Sequence, residues 1–302
     1  MSAYAVCSLL LKLCEHSETF TPEQRSAAGS AARRLFEFAW SSARDVWLVT
    51  RAIQCLCRTF DSDPQASATL LRHVLQPERL AQYGFEELPW LAREVKRLIP
   101  ADAAFVGELY RAAFEYREQS QDPTAMGTSR ILPLVSNRRQ DYEHGLYVLG
   151  SAFPEFLAKG SACAVSALIA VIEVYVTDRH RAPSGEESFN FNGEDARLAE
   201  DYSAIWDQGG VYRHEEPIKM LEAFERHLER LAVRDDTATE LREIVGVIVR
   251  ENRRAVMWQK LLHCGARFPH TLGKQLLRGL VKGCVKKIRR PPSRCPASLA
   301  LR

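Results

Sequence analysis

Asp45-Val-Trp-Leu-Val-Thr-Arg-Ala-Ile-Gln-Cys-Leu-Cys-Arg-Thr-Phe60 decides the fold. Val46, Val49, Ile53, Leu56 and Phe60 recur three and four apart, which places them on one face of an α-helix. Ser42 or Asp45 can cap its first turn. The phrase Asp61-Ser-Asp-Pro64 then stops this helix and opens another through Leu70, Leu71 and Val74. The same grammar runs through the chain. Helices are expected at Tyr4–Glu15, from Thr21-Pro22 to about Trp40, at Phe85–Ile99 and at Ala101–Arg117. Beyond a polar stretch at Gln119–Thr128, Asn137 with Gln140 can form a capping box. The stripe Tyr142, Leu146, Leu149 and Phe153 follows, and Pro154 ends that helix and opens the next.

Ala162–Val176 is the longest apolar run, shorter than the ~20 residues that a bilayer requires, and it holds Glu173. It reads as the most buried helix, with Ile172 at its centre. Thr177–Asp195 reads as the longest loop. Only Ser188–Asn192 alternates in a way that suits a strand. Helices then resume at Ala196–Trp206, Ile218–Leu231, Thr237–Arg250, Arg254–Cys264 and Leu272–Ile288. Gly150–Lys159 and Gly265–Lys274 share Gly, Phe, Pro, Leu and Lys in register. This suggests one device used twice, in which a helix ends on a buried Phe and Pro begins the next. No fixed repeat period emerges.

About a dozen helices with short connections imply antiparallel hairpins. A series of them is expected to stack as an irregular α-solenoid, giving an all-α fold. The expected organisation is a helical array over 1–118, a loop and turn over 119–136, a second array over 137–288 containing the loop 177–195, and a basic, disordered tail over 289–302.

The composition, with 46% hydrophobic and 26% charged residues, is that of a globular protein with a sizeable core. The net charge of +3 hides an asymmetry: nine of the 41 Lys and Arg, and none of the 38 Asp and Glu, fall between Lys274 and Arg302. The body is therefore acidic and the end basic. Eight cysteines are too sparse for a disulfide scaffold. Most sit in apolar helical segments as buried thiols, which points to a reducing, cytoplasmic setting. Cys55 and Cys57 lack the spacing of a CxxC metal or redox motif. No secretory signal pattern is present.

The familiar catalytic patterns fail. Gly265 to Gly273-Lys274-Gln275 has the wrong glycine spacing and no hydroxyl for a phosphate loop. GxGxxG and GxSxG do not occur. His214-Glu-Glu-Pro-Ile218 begins as HExxH and then breaks. No catalytic residue, cofactor or metal site is assigned. A deep pocket with several convergent titratable groups would instead favour a hydrolase with a loop-built site.

Two places carry candidate binding residues. Arg138 and Arg139 stand in a helical first turn, where the helix dipole disfavours cations. Either Glu143 and Asp141 offset them, or an anionic ligand or acidic partner surface does; Arg138, Arg139 and Asp141 form the first candidate set. Lys286, Lys287, Arg289 and Arg290 form the second, able to contact phosphates nonspecifically but without an aromatic residue to stack bases.

Ser129-Arg-Ile-Leu-Pro-Leu134 with Ser136-Asn-Arg-Arg-Gln-Asp-Tyr142, Asp201-Tyr-Ser-Ala-Ile-Trp206 followed by Gly209-Gly-Val-Tyr212, and Arg254-Ala-Val-Met-Trp258 with Gly265-Ala-Arg-Phe-Pro269 resemble segments of helical repeat arrays of the HEAT/TPR kind. Such arrays lie downstream of the P-loop module in bacterial STAND-type NTPases of antiviral defence. The resemblance spans about residues 40–285. It implies a sensor or scaffold array with a protein partner. This chain lacks the P-loop module, so ATPase activity does not carry over, and its Pro- and Arg-rich ending fits a truncated or split member. The expected function is a non-catalytic scaffold or sensor in a bacterial defence or signalling NTPase system, acting without a membrane. The alternatives are a nucleic-acid-binding accessory using the basic end, and the hydrolase.

Overall fold

The computed structural model describes residues 2–15, 19–41, 45–121, 136–179, 185–201, 203 and 215–279. They are mostly helical, with one two-stranded antiparallel sheet. The chain divides into two compact units: residues 1–180 with 208–227, and residues 181–207 with 228–302. These divisions fall elsewhere than the loop at 119–136.

The first unit holds α1 (Ala3–Cys14), α2 (Pro22–Ser41), α3 (Val46–Arg58), α4 (Pro64–Leu71), α5 (Pro77–Arg93), α6 (Val95–Leu98), α7 (Ala103–Glu115), α8 (Asn137–Lys159) and α9 (Ser161–Arg179). Their starts follow local chemistry. Asp45, Asp63 and Asp102 each accept a backbone N–H of the first turn of α3, α4 and α7 through a side-chain oxygen, at 3.1, 3.1 and 2.9 Å. Thr21 and Gln24 exchange reciprocal backbone–side-chain bonds at the start of α2. At α8 the cap is Ser136 rather than Asn137: its hydroxyl accepts from the Arg139 N–H at 3.2 Å.

Alternate helices pack on one another. α1 lies against α3, α3 against α5, and α5 against α8; α2 lies against α4 and α7 against α9. Three ion pairs, Arg25–Asp61, Arg58–Glu94 and Arg72–Glu108, link residues 36 apart. The last is bidentate, at 2.6 and 2.9 Å.

α5 and α8 meet along a seam of small residues. A Cβ on Gly145 would stand 3.1 Å from Leu88 Cγ and 3.3 Å from Pro89 N, and one on Gly84 would stand 3.2 Å from the Tyr142 ring. α7 and α8 are tied by exchanged hydrogen bonds. The Tyr142 hydroxyl donates to the Ala113 carbonyl at 2.7 Å, and the Tyr110 hydroxyl donates to the Leu149 carbonyl at 2.5 Å. Both phenols are buried. Ala113 lies in the last turn of α7, where carbonyls lack helical partners. Burial pushes both phenols above their usual range, so they remain neutral donors.

Several expectations are corrected here. Pro154 does not end a helix; α8 runs through it to Lys159. Proline inside a helix removes one donor, here for the Gly150 carbonyl, and is tolerated where tertiary packing compensates; Phe153 and Phe156 beside it are fully buried and stack with Tyr110. Pro269 opens a single π turn over Pro269–Gly273, so the two similar phrases do different structural work. Pro89 likewise lies inside α5, which begins at Pro77 rather than near Phe85. α9 continues past Val176 to Arg179, so the apolar segment is longer than expected. Ser161–Asp178 is long and apolar enough, by length and composition, to cross a bilayer, and half of it is buried inside the protein. Ile172 is fully buried there.

In the second unit, residues expected as loop and helix form a hairpin, β1 (Glu186–Phe191) and β2 (Glu194–Ala199). Asn192 and Gly193, at φ 55° and 102°, make its two-residue turn, a combination that suits the twist of paired strands. Phe189 and Phe191 pack on Trp258, whose indole N–H donates to the Arg197 carbonyl at 3.1 Å. α10 (Glu216–Ala232), α11 (Ala238–Glu251) and α12 (Ala255–Arg267) follow, and α10 contributes its first residues to the first unit.

Two stability effects are expected. Tyr142→Phe removes the donor to a buried carbonyl and should cost about 1–3 kcal/mol, measured by urea unfolding. Ile172→Asp, which places an unpaired charge in the core, should cost more than about 4 kcal/mol or abolish folding. A wild-type midpoint for Ile172→Asp would refute the burial of α9.

Candidate functional site

The sequence singled out Arg138, Arg139 and Asp141. The structure puts the two arginines to different uses. Arg138 turns onto α5: its guanidinium lies 4.3 Å over the Phe85 ring, donates to the Ala81 carbonyl at 3.1 Å and reaches Glu118 at 3.4 Å. Arg139 pairs along its own helix with Glu143 at 2.8 Å. Asp141 is exposed on α8, close enough to Glu86 to raise that carboxyl above its usual value, although burial is the larger cause. The dipole penalty on Arg139 is thus offset locally, while Arg138 is used in packing. Lys286, Lys287, Arg289 and Arg290 lie outside the described residues.

Arg139 and Glu143 line a cavity of about 980 Å³ in the first unit, walled also by Tyr116, Tyr142, Tyr147 and Tyr175. Several carboxylates converge on it, and they are already engaged. Asp178 pairs with Arg117, Glu118 with Arg138, Glu143 with Arg139, and Glu216 with Lys219. Glu118 also accepts from the Ser120 N–H at 2.9 Å. Among the described residues of the lining there is neither His nor Cys. Among the described residues no group of three or more His, Cys, Asp or Glu could hold a metal ion.

A second feature escaped the sequence reading. α1, α3 and α5 together carry an exposed ridge of aromatic and cationic side chains. The Tyr4 hydroxyl is hydrogen-bonded to Asp45, the residue that caps α3. Trp47, 52% exposed, meets the edge of Trp90 at 6.4 Å. The Arg51 guanidinium lies 4.7 Å over Trp47 and 5.8 Å from Trp90, and Arg93 lies 4.6 Å over Trp90. Such cation–π contacts hold the guanidinium groups in place while leaving them hydrated. The available signal was an aromatic residue three or four positions before an arginine on a helix: Trp47 with Arg51, and Trp90 with Arg93.

A buried counterpart lies nearby. Arg79 is sandwiched by Trp40 and Tyr83, at 4.2 and 4.1 Å, and forms a bidentate pair with fully buried Glu87. Burial raises the Glu87 carboxyl above its usual 4.5, with Arg79 acting against that shift.

In the second unit the phrases beginning at Asp201 and Arg254 come together. Asp201 and Arg254 are both buried and lie 3.6 Å apart. Asp201 accepts from the Ser203 N–H at 2.9 Å and from its hydroxyl. The Ser203 oxygen accepts the Val256 N–H at 3.0 Å and so caps α12. These residues join chain segments and build no open site.

The Glu87 environment sets a pH dependence. With its folded value above 4.5, folding takes up a proton, and the associated stability is complete below pH 4.5 and is lost as pH rises through the folded value. Glu87→Gln should remove that component, so the gap between the two urea midpoints should change over this window. At neutral pH, Glu87→Ala should cost about 3 kcal/mol by leaving Arg79 without its partner. A pH-independent gap would contradict the assignment.

No protein-family model matches this chain, and no curated protein or solved structure matches it.

Proposed function

We propose that the chain is a non-catalytic helical scaffold or sensor, built as an irregular α-solenoid, that binds a protein partner. We take that partner to be a P-loop NTPase of a bacterial defence or signalling system, met in the cytoplasm. The solenoid reading is supported by the two rows of alternate helices, α1–α3–α5–α8 and α2–α4 with α7–α9, and by the three ion pairs that link residues 36 apart.

The exposed ridge carries the functional reading. Trp, Tyr and Arg are the residues that dominate binding energy at protein interfaces, and here Tyr4, Trp47, Arg51, Trp90 and Arg93 lie together across three successive helices. The cations of the ridge, with Lys12 on the adjoining turn of α1, select an acidic partner surface. Both indoles already carry a guanidinium on the ring, which leaves less π-face for a nucleic-acid base to stack upon. The cavity lined by Arg139 favours binding over hydrolysis, because its carboxylates are held by cations instead of facing a nucleophile.

Co-expression with a P-loop NTPase of the proposed class should give a complex that survives size-exclusion chromatography. Trp47→Ala combined with Trp90→Ala should weaken it about 30-fold or more, the scale of an interface hot spot, with an unchanged circular dichroism spectrum. Absence of a complex overturns the reading. Binding of single-stranded nucleic acid that these substitutions remove, and that falls steeply with salt, supports the nucleic-acid alternative. ATP hydrolysis by the chain alone, lost on substituting one of its residues, supports the enzyme.

A further inference from the structure

α1 and α3, which pack together, carry four buried thiols: Cys7 and Cys14 on the first helix, Cys55 and Cys57 on the second. They are not equivalent. The Cys55 thiol donates to the Cys7 carbonyl oxygen at 3.7 Å, so this side chain reaches the backbone of the other cysteine. Cys7 in turn lines a surface groove of about 260 Å³ whose walls include Tyr4, Lys12, Trp47 and Arg51. Cys7 therefore borders a cationic opening, and the Cys55 side chain packs against the Cys7 backbone.

The electrostatics follow the same asymmetry. The Cys55 hydrogen bond holds the Cys7 thiol below its usual value, Arg51 adds to this, and burial opposes it. Cys55 is pushed up, first by its bond to Cys7 and then by burial. Burial also pushes up Cys14 and Cys57. Of the four cysteines only Cys7 lines the groove, beside Lys12 and Arg51, and neighbouring cations favour the reactive thiolate.

We propose that Cys7 and Cys55 form a redox-active pair, in which a small hydroperoxide entering the groove oxidises Cys7 and Cys55 then closes a disulfide between α1 and α3. In the first step the Cys7 thiolate attacks the terminal peroxide oxygen. The O–O bond breaks, the sulfur becomes a sulfenic acid, and the peroxide is reduced to an alkoxide or hydroxide that takes up a proton. In the second step Cys55 sulfur attacks Cys7 sulfur. The S–S bond forms, the S–O bond breaks, and the departing hydroxide leaves as water with the proton of the Cys55 thiol. A dithiol supplies the two electrons that reverse it. The link would tie the first helix to the stack beneath the ridge of Tyr4 and Trp47.

The test uses the full chain, folded and pre-reduced, treated with a few equivalents of hydrogen peroxide and mapped by mass spectrometry without reductant. The expected product is a peptide cross-linked through Cys7 and Cys55, two hydrogens lighter than the reduced pair and restored by dithiothreitol. The thermal midpoint of the oxidised protein should rise, because the tether restricts the unfolded chain. In Cys55→Ala, Cys7 should be trapped as a dimedone adduct; in Cys7→Ala, Cys55 should stay unmodified. Should either variant fail to fold, the wild-type map decides. An unmodified Cys7, a linkage of Cys7 to another cysteine, or cross-linking seen only in urea overturns the proposal.

Discussion

Two phenol hydroxyls hold the centre of the first unit. Tyr110 and Tyr142 each cross from one helix to a main-chain carbonyl of the other, so that α7 and α8 are fixed in register by a pair of bonds instead of by apolar contact alone. Apolar faces slide at little cost, whereas a buried carbonyl left without a donor does not tolerate it. Tyr142 also presses its ring against Gly84, which lets α5 approach. Three helices therefore take their spacing from one side chain. The cavity lies next to this junction and shares Tyr142 as a wall, so its shape depends on the same bonds.

Much of the fold was legible in the sequence where a helix presents one apolar stripe. Helix α3, one of its two candidate caps, Asp45, and the buried Ile172 were legible, although α3 is buried beyond its expected face, at Leu48, Thr50, Gln54 and Cys57 as well. The failures share a physical cause. Pro154 reads as a boundary because a local rule penalises it, but α8 is held by Phe153, Phe156 and the Tyr110 bond, and tertiary packing outweighs the lost donor. Of the hairpin at residues 186–199 the first strand is hinted at by Ser188–Asn192, while the second reads as loop and helix, although Asn192-Gly193 marks the turn between them. Ion pairs such as Arg25–Asp61, Arg58–Glu94 and Arg72–Glu108 were hidden because their partners lie 36 residues apart in the chain.

The candidate residues divide along similar lines. The reading of Arg138 and Arg139 as charges in need of compensation was sound, and Glu143 answers for one of them. What neighbouring residues cannot reveal is Arg138 lying on Phe85, since that contact joins helices 53 residues apart in the chain. The ridge was missed for the opposite reason. Trp47 and Trp90 look like core residues in a one-dimensional pattern, and only the assembled helices show that Trp47 is exposed and Trp90 half-buried, with arginines beside them. Exposure of a large side chain is a property of the whole fold, and local periodicity reports it poorly.

Ser203 closes the first turn of α12 from 53 residues away, steadied by buried Asp201. A helix capped by a residue adjoining its own first turn can begin to form before the rest of the chain is in place. α12 has no side-chain cap of its own, and it gains this one only when the segment after β2 has returned to it. Nucleation of this helix thus waits on loop closure over a long contour. In kinetic terms the end of the second unit belongs to the slower, non-local part of folding, while the locally capped α3, α4 and α7 belong to the fast part.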